Sequence, residues 1–163
     1  EGIMVDYYYQ GMQKKLGLTT HEADDNQLAF SLLDILMKNN MDYTRSFRAL
    51  SHFSKTDKVC SLRDDCLDRD SFDAWFKRYS ERLQRELISD NQRQQQMQAI
   101  NPKFILRNYL AQIAIEKAEK GDFSELDTLL MLLQSPFAEH PDYERYADLP
   151  PDWGQDLEIS CSS

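Results

Sequence analysis

The sequence predicts an all-α protein, a bundle of roughly six to eight helices followed by an extended strap rich in proline and aromatic residues. Three observations favour this class. Apolar residues recur at spacings of three and four along much of the chain. The 163 residues include only five glycines and five prolines, and the helix formers Leu, Gln, Glu, Arg, Lys and Met are abundant. No long stretch alternates apolar and polar residues as a half-buried strand does.

The length suits one domain with a substantial core. A composition of 41% hydrophobic and 29% charged residues is typical of a soluble globular protein. We expect a helical domain over residues 1–135 and an extended tail over 136–163 that packs on it. The chain opens without an initiator methionine and directly in helix-like sequence, so we expect it to be a piece of a longer protein.

Two helices are predicted before residue 41. The first ends at Gly17, a residue suited to the left-handed conformation that follows many helices. Its apolar stripe comprises Ile3, Met4, Tyr7, Tyr8, Met12 and Leu16. The second ends at Asn39-Asn40 and is apolar on more than one face, so we expect it to be central in the bundle. Its apolar residues are Leu28, Phe30, Leu32, Leu33, Ile35, Leu36 and Met37.

A short helix and a loop are predicted next. Asp42 is suited to cap a helix whose stripe is Tyr43, Phe47 and Leu50. From His52 to Asp70 the apolar content falls and charges crowd together. We expect a long surface loop here, and the most mobile part of the chain.

Two helices with recognisable starts follow. Asp70 or Ser71 is expected to cap an aromatic helix whose stripe belongs in the core. That stripe comprises Phe72, Trp75, Phe76, Tyr79 and Leu83. Ser89 and Gln92 have the spacing of a capping box and open a Gln-rich helix.

The C-terminal third predicts a helical hairpin and the strap. Asn101-Pro102 is expected to open one helix, which Gly121 ends. The residues expected to face inward are Phe104, Ile105, Tyr109, Leu110, Ile113 and Ala114. The second helix ends before Pro136, and its stripe comprises Leu126, Leu129, Leu130 and Leu133. Beyond it the periodicity disappears, and Trp153 is the expected anchor of the strap because of its size.

Composition also excludes several classes of function. A net charge of −9 and a pI of about 4.8 argue against nucleic acid as a partner, because phosphate binding needs a positive surface. There is no run of about 18 apolar residues that would predict a membrane span, and no secretion signal. The acidic stretch 64–70 lacks the glycine and the closing glutamate of a calcium loop. Three cysteines, Cys60, Cys66 and Cys161, make no disulfide framework, so we expect the reduced cytosol as the compartment; a bacterial type of cytoplasm is assumed.

Motifs for catalysis are mostly absent. The sequence contains no Gly-rich nucleotide loop, no H-E-x-x-H, no nucleophile elbow and no kinase-like H-R-D or D-F-G. His21, His52 and His140 are far apart and are expected to be solvated. Cys60 and Cys66 lack the second pair that a zinc site requires, and a disulfide between them stays open. We predict no catalytic, metal-binding or cofactor-binding residue in this chain.

Cys161 is the one residue that suggests chemistry. It stands third from the end between Ser160 and Ser162, and this position favours exposure. The neighbouring Asp156 and Glu158, and the terminal carboxylate, are expected to raise the pKa of its thiol. From the residues alone it reads as an ordinary exposed thiol.

Several segments are distinctive enough to compare with a known family. They are Lys15-Leu16-Gly17-Leu18, Asp42-Tyr43-Thr44-Arg45-Ser46-Phe47-Arg48, Ser89-Asp90-Asn91-Gln92-Arg93-Gln94, Leu106-Arg107-Asn108-Tyr109-Leu110-Ala111-Gln112, Ala118-Glu119-Lys120-Gly121-Asp122, Pro150-Pro151-Asp152-Trp153-Gly154 and Glu158-Ile159-Ser160-Cys161-Ser162-Ser163. Together they resemble the C-terminal region of the selenoprotein O family, whose bacterial members are called YdiU. The resemblance covers nearly the whole chain.

The resemblance implies a protein adenylyltransferase. Its kinase-like region binds ATP with Mg or Mn and transfers AMP to hydroxyl-bearing residues of other proteins. That region lies N-terminal to everything here, and no residue of this chain matches its motifs, so no catalytic or nucleotide-binding residue is carried over. Animal members place selenocysteine where Cys161 stands. This implies a redox role, in which Cys161 pairs with a thiol elsewhere in the full protein.

Three hypotheses follow. In the first, the chain is a helical region that braces the kinase-like region of the same protein and has no activity alone. In the second, it is an autonomous interaction module that docks partners through its acidic face. In the third and weakest, it is a thiol enzyme built on Cys161, which has no histidine or second thiol near it in sequence. An apolar patch left uncovered would favour the first hypothesis.

Overall fold

The computed structural model describes residues 2–57, 59–155 and 157, with side chains from Asp6 onward. These residues form seven α-helices and three short 3-10 helices, and they contain no strand. The α-helices are α1 (Gly2–Lys15), α2 (Asp25–Lys38), α3 (Tyr43–Ser51), α4 (Arg69–Leu83), α5 (Asp90–Ile100), α6 (Asn108–Ala118) and α7 (Ser124–Gln134). The 3-10 helices are Ser61–Asp65, Pro141–Tyr146 and Asp152–Gly154. The all-α class is confirmed. None of the helices described is both long enough and apolar enough to cross a membrane.

Two compact units share the chain. The N-terminal unit, Glu1–Asn101, contains α1 to α5, and the C-terminal unit, Pro102–Ser163, contains α6 and α7. Each unit has its own cluster of buried apolar side chains. The expected arrangement of one domain over 1–135 with a packed tail over 136–163 stays a prediction.

The aromatic stripe of α4 lies at the centre of the N-terminal unit, as predicted. All five of its residues are buried: Phe72, Trp75, Phe76, Tyr79 and Leu83. Trp75 Nε1 donates to the carbonyl oxygen of Leu28 on α2 at 2.9 Å, and the Tyr79 hydroxyl donates to that of Leu16 at 2.9 Å. The two rings therefore bury a large apolar area while their polar atoms remain hydrogen-bonded.

Two of the predicted helix starts are confirmed. Asp42 accepts a hydrogen bond from Arg45 N at 2.8 Å at the start of α3. At the start of α5, Ser89 and Gln92 form the reciprocal bonds of a capping box. Both motifs are complete within four residues, which is why the sequence alone predicts them.

The segment before α4 differs from the predicted surface loop. Four of its side chains are buried in the core: Phe53, Cys60, Leu62 and Cys66. These apolar residues are isolated in sequence and show no helical period, so their burial could not be predicted from the sequence pattern. The N-cap of α4 is also earlier than predicted. It is Asp68, whose carboxylate accepts a hydrogen bond from Ser71 N at 3.1 Å, and not Asp70 or Ser71.

The stripes of α1 and α2 face inward only in part. Met12 and Leu16 are buried on α1, and Leu28, Ala29, Leu32, Ile35 and Leu36 are buried on α2. Tyr7, Tyr8, Phe30 and Met37 are exposed, and the side chains of Ile3 and Met4 lie outside the described part. The apolar residues of α2 thus lie in the core on one side of the helix and are uncovered on another. This helix packs on α1 and α4 and leaves one face uncovered.

Gly17 ends α1 as predicted, with a φ of +71°. A Cβ at this position would lie 2.7 Å from Met97 Sδ. Both the backbone conformation and the close approach of α5 therefore require glycine.

Asn101-Pro102 does not open a helix, because Asn101 ends α5 and α6 begins only at Asn108. Arg48 Nη1 donates to the carbonyl oxygens of Gln98 and Asn101 at 3.1 and 2.9 Å. The side-chain amide of Asn101 donates to Lys15 O at 2.9 Å. A residue that resembles a helix cap thus serves as a cross-link between α1, α3 and α5.

In the C-terminal unit, α6 and α7 form the predicted hairpin, with Gly121 at a φ of +82° in the turn. Its buried core comprises Phe104, Tyr109, Leu110, Ala114, Leu129, Leu132 and Tyr146. The stripe of α7 is rotated from the prediction, since Leu126 and Leu130 are exposed. The anchor of the strap was also predicted wrongly. Tyr146 is buried, whereas Trp153 is 58% exposed and lies edge-on to Tyr109.

Candidate functional site

Cys161, the predicted redox residue, lies outside the described residues. The other two cysteines, Cys60 and Cys66, are buried free thiols, so the disulfide that the sequence left open is not formed. Burial raises the pKa of both thiols. Because a buried, protonated thiol is a poor nucleophile, these two residues serve here as core side chains.

The three histidines occupy separate places. Each hydrogen-bonds a different side chain: His21 with Gln13, His52 with Gln94, and His140 with Ser135. In the part of the chain that the structure describes, no three His, Cys, Asp or Glu side chains converge as metal ligands. The histidines therefore define no shared site.

The structure brings together three buried charged side chains that the sequence analysis did not connect. We call Asp25, Arg82 and Glu86 the buried ion cluster. Arg82 Nε and Nη2 donate to the Asp25 carboxylate at 2.7 and 3.2 Å, and its Nη1 donates to Glu86 Oε1 at 2.8 Å. All three side chains are almost completely buried. Arg82 and Glu86 have i,i+4 spacing, the one sequence signal for the pair, while Asp25 is 57 residues away from Arg82.

Glu86 fastens the loop after α1 to this cluster. Its carboxylate accepts from the backbone N–H and the hydroxyl of both Thr19 and Thr20. Burial acts to raise the pKa of Glu86, but the hydrogen bonds from the two threonines outweigh it and hold the pKa at about 2. The carboxylate is ionised at neutral pH, and both of its oxygens are bonded by protein donors. The cluster therefore joins α2, the end of α4 and the loop between α1 and α2 rather than offering a reactive group.

A cavity of about 560 Å³ lies beside Arg63 and Asp73. Its lining combines apolar side chains such as Phe72 and Phe76 with charged ones, and it includes Cys60. Arg63 donates twice to the Asp73 carboxylate, at 2.7 and 2.9 Å, so the protein itself neutralises this cation. With Arg63 paired and the Cys60 thiol protonated, neither group is arranged for catalysis.

An uncovered aromatic surface is the most distinctive feature of the N-terminal unit. This tyrosine face comprises Tyr7, Tyr8, Phe30, Met37 and Tyr43, which are 80%, 46%, 46%, 75% and 44% exposed. Tyr8 stacks on Phe30 with ring centroids 6.3 Å apart. Phe30 and Met37 are seven residues apart on α2 and so lie on the same side of that helix. Burial and, to a smaller extent, Tyr8 raise the pKa of Tyr43.

Two charged side chains of α2 beside the tyrosine face pair with each other. Asp34 and Lys38 on α2 form an ion pair at 2.7 Å. Aromatic residues and methionine are enriched at protein interfaces, whereas Asp, Glu and Lys are depleted. The face therefore has the composition of a contact surface. The sequence analysis missed it because it assigned these same residues to the core.

The fold thus defines an all-helical region with an exposed aromatic surface and without a recognisable catalytic constellation among its described residues. A family model for "Protein adenylyltransferase SelO" matches residues 1–134. The chain belongs to the SelO family, and the resemblance seen in the sequence is confirmed.

Curated relatives agree with this assignment. The chain is 52% identical over 161 residues to "Protein nucleotidyltransferase YdiU" of Yersinia pseudotuberculosis serotype O:1b (strain IP 31758), which covers 99% of the chain and 33% of the relative. It is 48% identical over 160 residues to the protein of the same name from Salmonella schwarzengrund (strain CVM19633), covering 98% of the chain and 33% of the relative. The chain spans about a third of the length of the curated relatives it matches.

Proposed function

We propose that this chain is the C-terminal helical region of a SelO-like protein adenylyltransferase. In the whole protein, a Ser, Thr or Tyr hydroxyl of a protein substrate attacks the α-phosphorus of ATP, a phosphodiester bond forms, and pyrophosphate leaves. The observation that carries this proposal is the family match of a chain that spans only a third of relatives named nucleotidyltransferases. Such relatives have room for a separate catalytic region.

Catalysis is assigned to a kinase-like region outside this chain, where ATP and Mg or Mn would bind. This chain acts as a structural brace for that region. The buried ion cluster supports the assignment, because its charges are used in holding helices together. The tyrosine face supports it as well, since it offers an apolar surface for a neighbour. The kinase-like region and the protein substrates are the proposed partners, and the cytoplasm is the proposed location.

Cys161 is proposed as a redox-sensitive residue that pairs with a thiol elsewhere in the whole protein. The support is its position in the family resemblance. Peptide mapping of the full-length protein without reductant should find Cys161 in a disulfide, and this linkage should be absent from the Cys161→Ser variant. Recovery of Cys161 only as a free thiol under oxidising conditions would contradict the redox role.

Two other functions have less support. An autonomous module that docks through an acidic face is not favoured, because the uncovered face is aromatic and the charges of Asp34 and Lys38 beside it are paired. A thiol enzyme has no support from Cys60 or Cys66, whose thiols are buried with raised pKa values.

The proposed activity is tested by label transfer. The chain is incubated with ATP labelled at the α-phosphate, Mg²⁺ or Mn²⁺, and a generic protein acceptor, beside the polypeptide extended to the full length of its relatives. ATP labelled at the γ-phosphate is the matched control, because a kinase would transfer that label instead. We expect transfer of the α-label by the long form alone. Transfer by the short form would place a nucleotide site among these helices, and failure of the long form would refute the activity.

A further inference from the structure

We propose that the tyrosine face is the surface on which the rest of the same polypeptide packs. This proposal rests on the proposed function, in which the chain braces a larger catalytic region. It adds the location and the chemistry of the contact: an apolar, shape-matched surface against Tyr7, Tyr8, Phe30, Met37 and Tyr43.

The packing of the exposed rings is the first argument. Phe30 is held between two tyrosines of α1, stacked with Tyr8 at 6.3 Å and edge-on to Tyr9 at 5.8 Å. Rings fixed against one another lose little side-chain freedom when a partner binds, so they suit an interface. Met37 extends the same side of α2 with a flexible apolar side chain that fits an irregular surface.

The area of the face is the second argument, and it separates an intramolecular neighbour from a second copy. A fully exposed aromatic side chain has an accessible area of about 200 Å². At their exposed fractions, the four aromatic side chains of the face together expose about 400 Å². A stable interface between separate molecules needs about 800 Å² from each partner. A tethered neighbour already has a high effective concentration, so a smaller contact suffices. Because the relatives are about three times as long as the matched segment, they have the additional chain to cover the face.

Electrostatics is the third argument. The nearest charged side chains of α2, Asp34 and Lys38, neutralise each other at 2.7 Å. Lys15 lies over the Tyr43 ring at 5.4 Å and also donates to Asn101 Oδ1 at 3.2 Å, so this cation has partners within the unit. These three charged groups therefore have partners within the unit, and none of them is left to select a charged peptide. The surface that covers the face is expected to be apolar.

Hydroxyl-radical footprinting tests the proposal directly, because aromatic rings and methionine react readily and their oxidation is read by mass spectrometry. The full-length protein and the 163-residue chain are compared at equal radical dose. We expect Tyr7, Tyr8, Phe30 and Met37 to be oxidised several-fold more slowly in the full-length protein. Equal oxidation in the two forms would refute the proposal. Protection that disappears on dilution would also refute it, because a second copy would then be the occupant.

Variants give a second measurement with a matched control. Tyr7→Gln with Met37→Gln removes two highly exposed apolar side chains of the face and retains good helix formers. The double variant should lower the Tm of the full-length protein by at least about 2 °C and leave that of the 163-residue chain unchanged. Leu87→Gln alters a side chain that is 96% exposed outside the face, and we expect it to leave both unchanged. An equal response of the long and short forms to the double variant would refute the contact.

The label-transfer assay keeps this inference separate from the proposed function. If the full-length protein transfers the α-label while its tyrosine face is oxidised as in the short chain, the activity holds and the docking surface is wrong. If the face is protected but no label is transferred, the contact holds and the activity is wrong.

Discussion

Replacing Glu86 with Gln tests the buried ion cluster most directly. The substitution keeps the shape of the side chain and removes its charge. The carboxylate accepts hydrogen bonds from the N–H and hydroxyl groups of Thr19 and Thr20 and from Arg82. A glutamine amide has one acceptor oxygen, so its NH₂ group must face donors of one of the threonines. At least one backbone N–H then loses its acceptor.

The magnitude follows from what is lost and what remains. A buried donor without an acceptor costs about 1–3 kcal/mol, and breaking a buried ion pair costs about 3–5 kcal/mol. Arg82 keeps both of its bonds to Asp25, so the loss is partial. We expect Glu86→Gln to lower the free energy of unfolding of the N-terminal unit by about 3 kcal/mol.

Urea unfolding followed by tryptophan fluorescence measures this loss. Trp75 is buried in the unit that contains Glu86, whereas Trp153 belongs to the C-terminal unit. A Trp153→Phe background therefore makes Trp75 the reporter. Glu81→Gln, at an exposed site near the end of α4, is the matched control and should change stability by less than about 0.5 kcal/mol. A Glu86→Gln effect as small as that of the control would refute the claim that the charge stabilises the fold.

Three further predictions concern stability. Folding depresses the pKa of Glu86 from its ordinary value of 4.5 to about 2, so its contribution to the free energy of unfolding is fully present above pH 4.5 and is lost as the pH falls towards 2. Urea midpoints across this window should therefore fall less steeply in Glu86→Gln than in the parent protein. Gly17→Ala should destabilise the protein by about 2 kcal/mol, because the position has a positive φ and the new Cβ would lie 2.7 Å from Met97 Sδ. Gly11→Ala, whose Cβ would meet nothing within 4 Å, should stabilise the protein slightly. The reverse order of the two variants in thermal melts would contradict this geometry. Ser89→Ala removes the capping box and should cost about 1 kcal/mol by urea unfolding, and an unchanged midpoint would show that the cap contributes nothing.

The features that the sequence predicted correctly are encoded over a few residues. The cap at Asp42, the capping box at Ser89 and the left-handed Gly17 each depend on neighbours within four positions or on backbone preference alone. The α4 stripe was equally readable, because five large apolar residues at helical spacing leave one face to bury. The family resemblance rested on the similarity of short sequence segments to those of known proteins, and not on helical spacing or capping.

The failures share a different origin, since each depends on a contact distant in sequence. Asn101 resembles a helix cap, but its amide bonds Lys15 and its carbonyl accepts from Arg48. In sequence Glu86 resembles an ordinary surface glutamate, yet its carboxylate is buried and accepts hydrogen bonds from Thr19 N and Thr20 N. No local pattern marks such partners, so they could not have been predicted from spacing.

The errors on α1 and α2 have a further cause. An apolar stripe predicts that a side chain is covered, but it does not say by which part of a protein. Tyr8 lies four residues before the buried Met12, and Phe30 lies three residues before the partly buried Leu33, yet both rings remain exposed in this chain. If the full-length polypeptide covers them, the period was read correctly and only the covering surface was assigned wrongly. If it does not, the stripe carries no information about burial at these positions. The oxidation footprint of Tyr8 and Phe30 decides between the two.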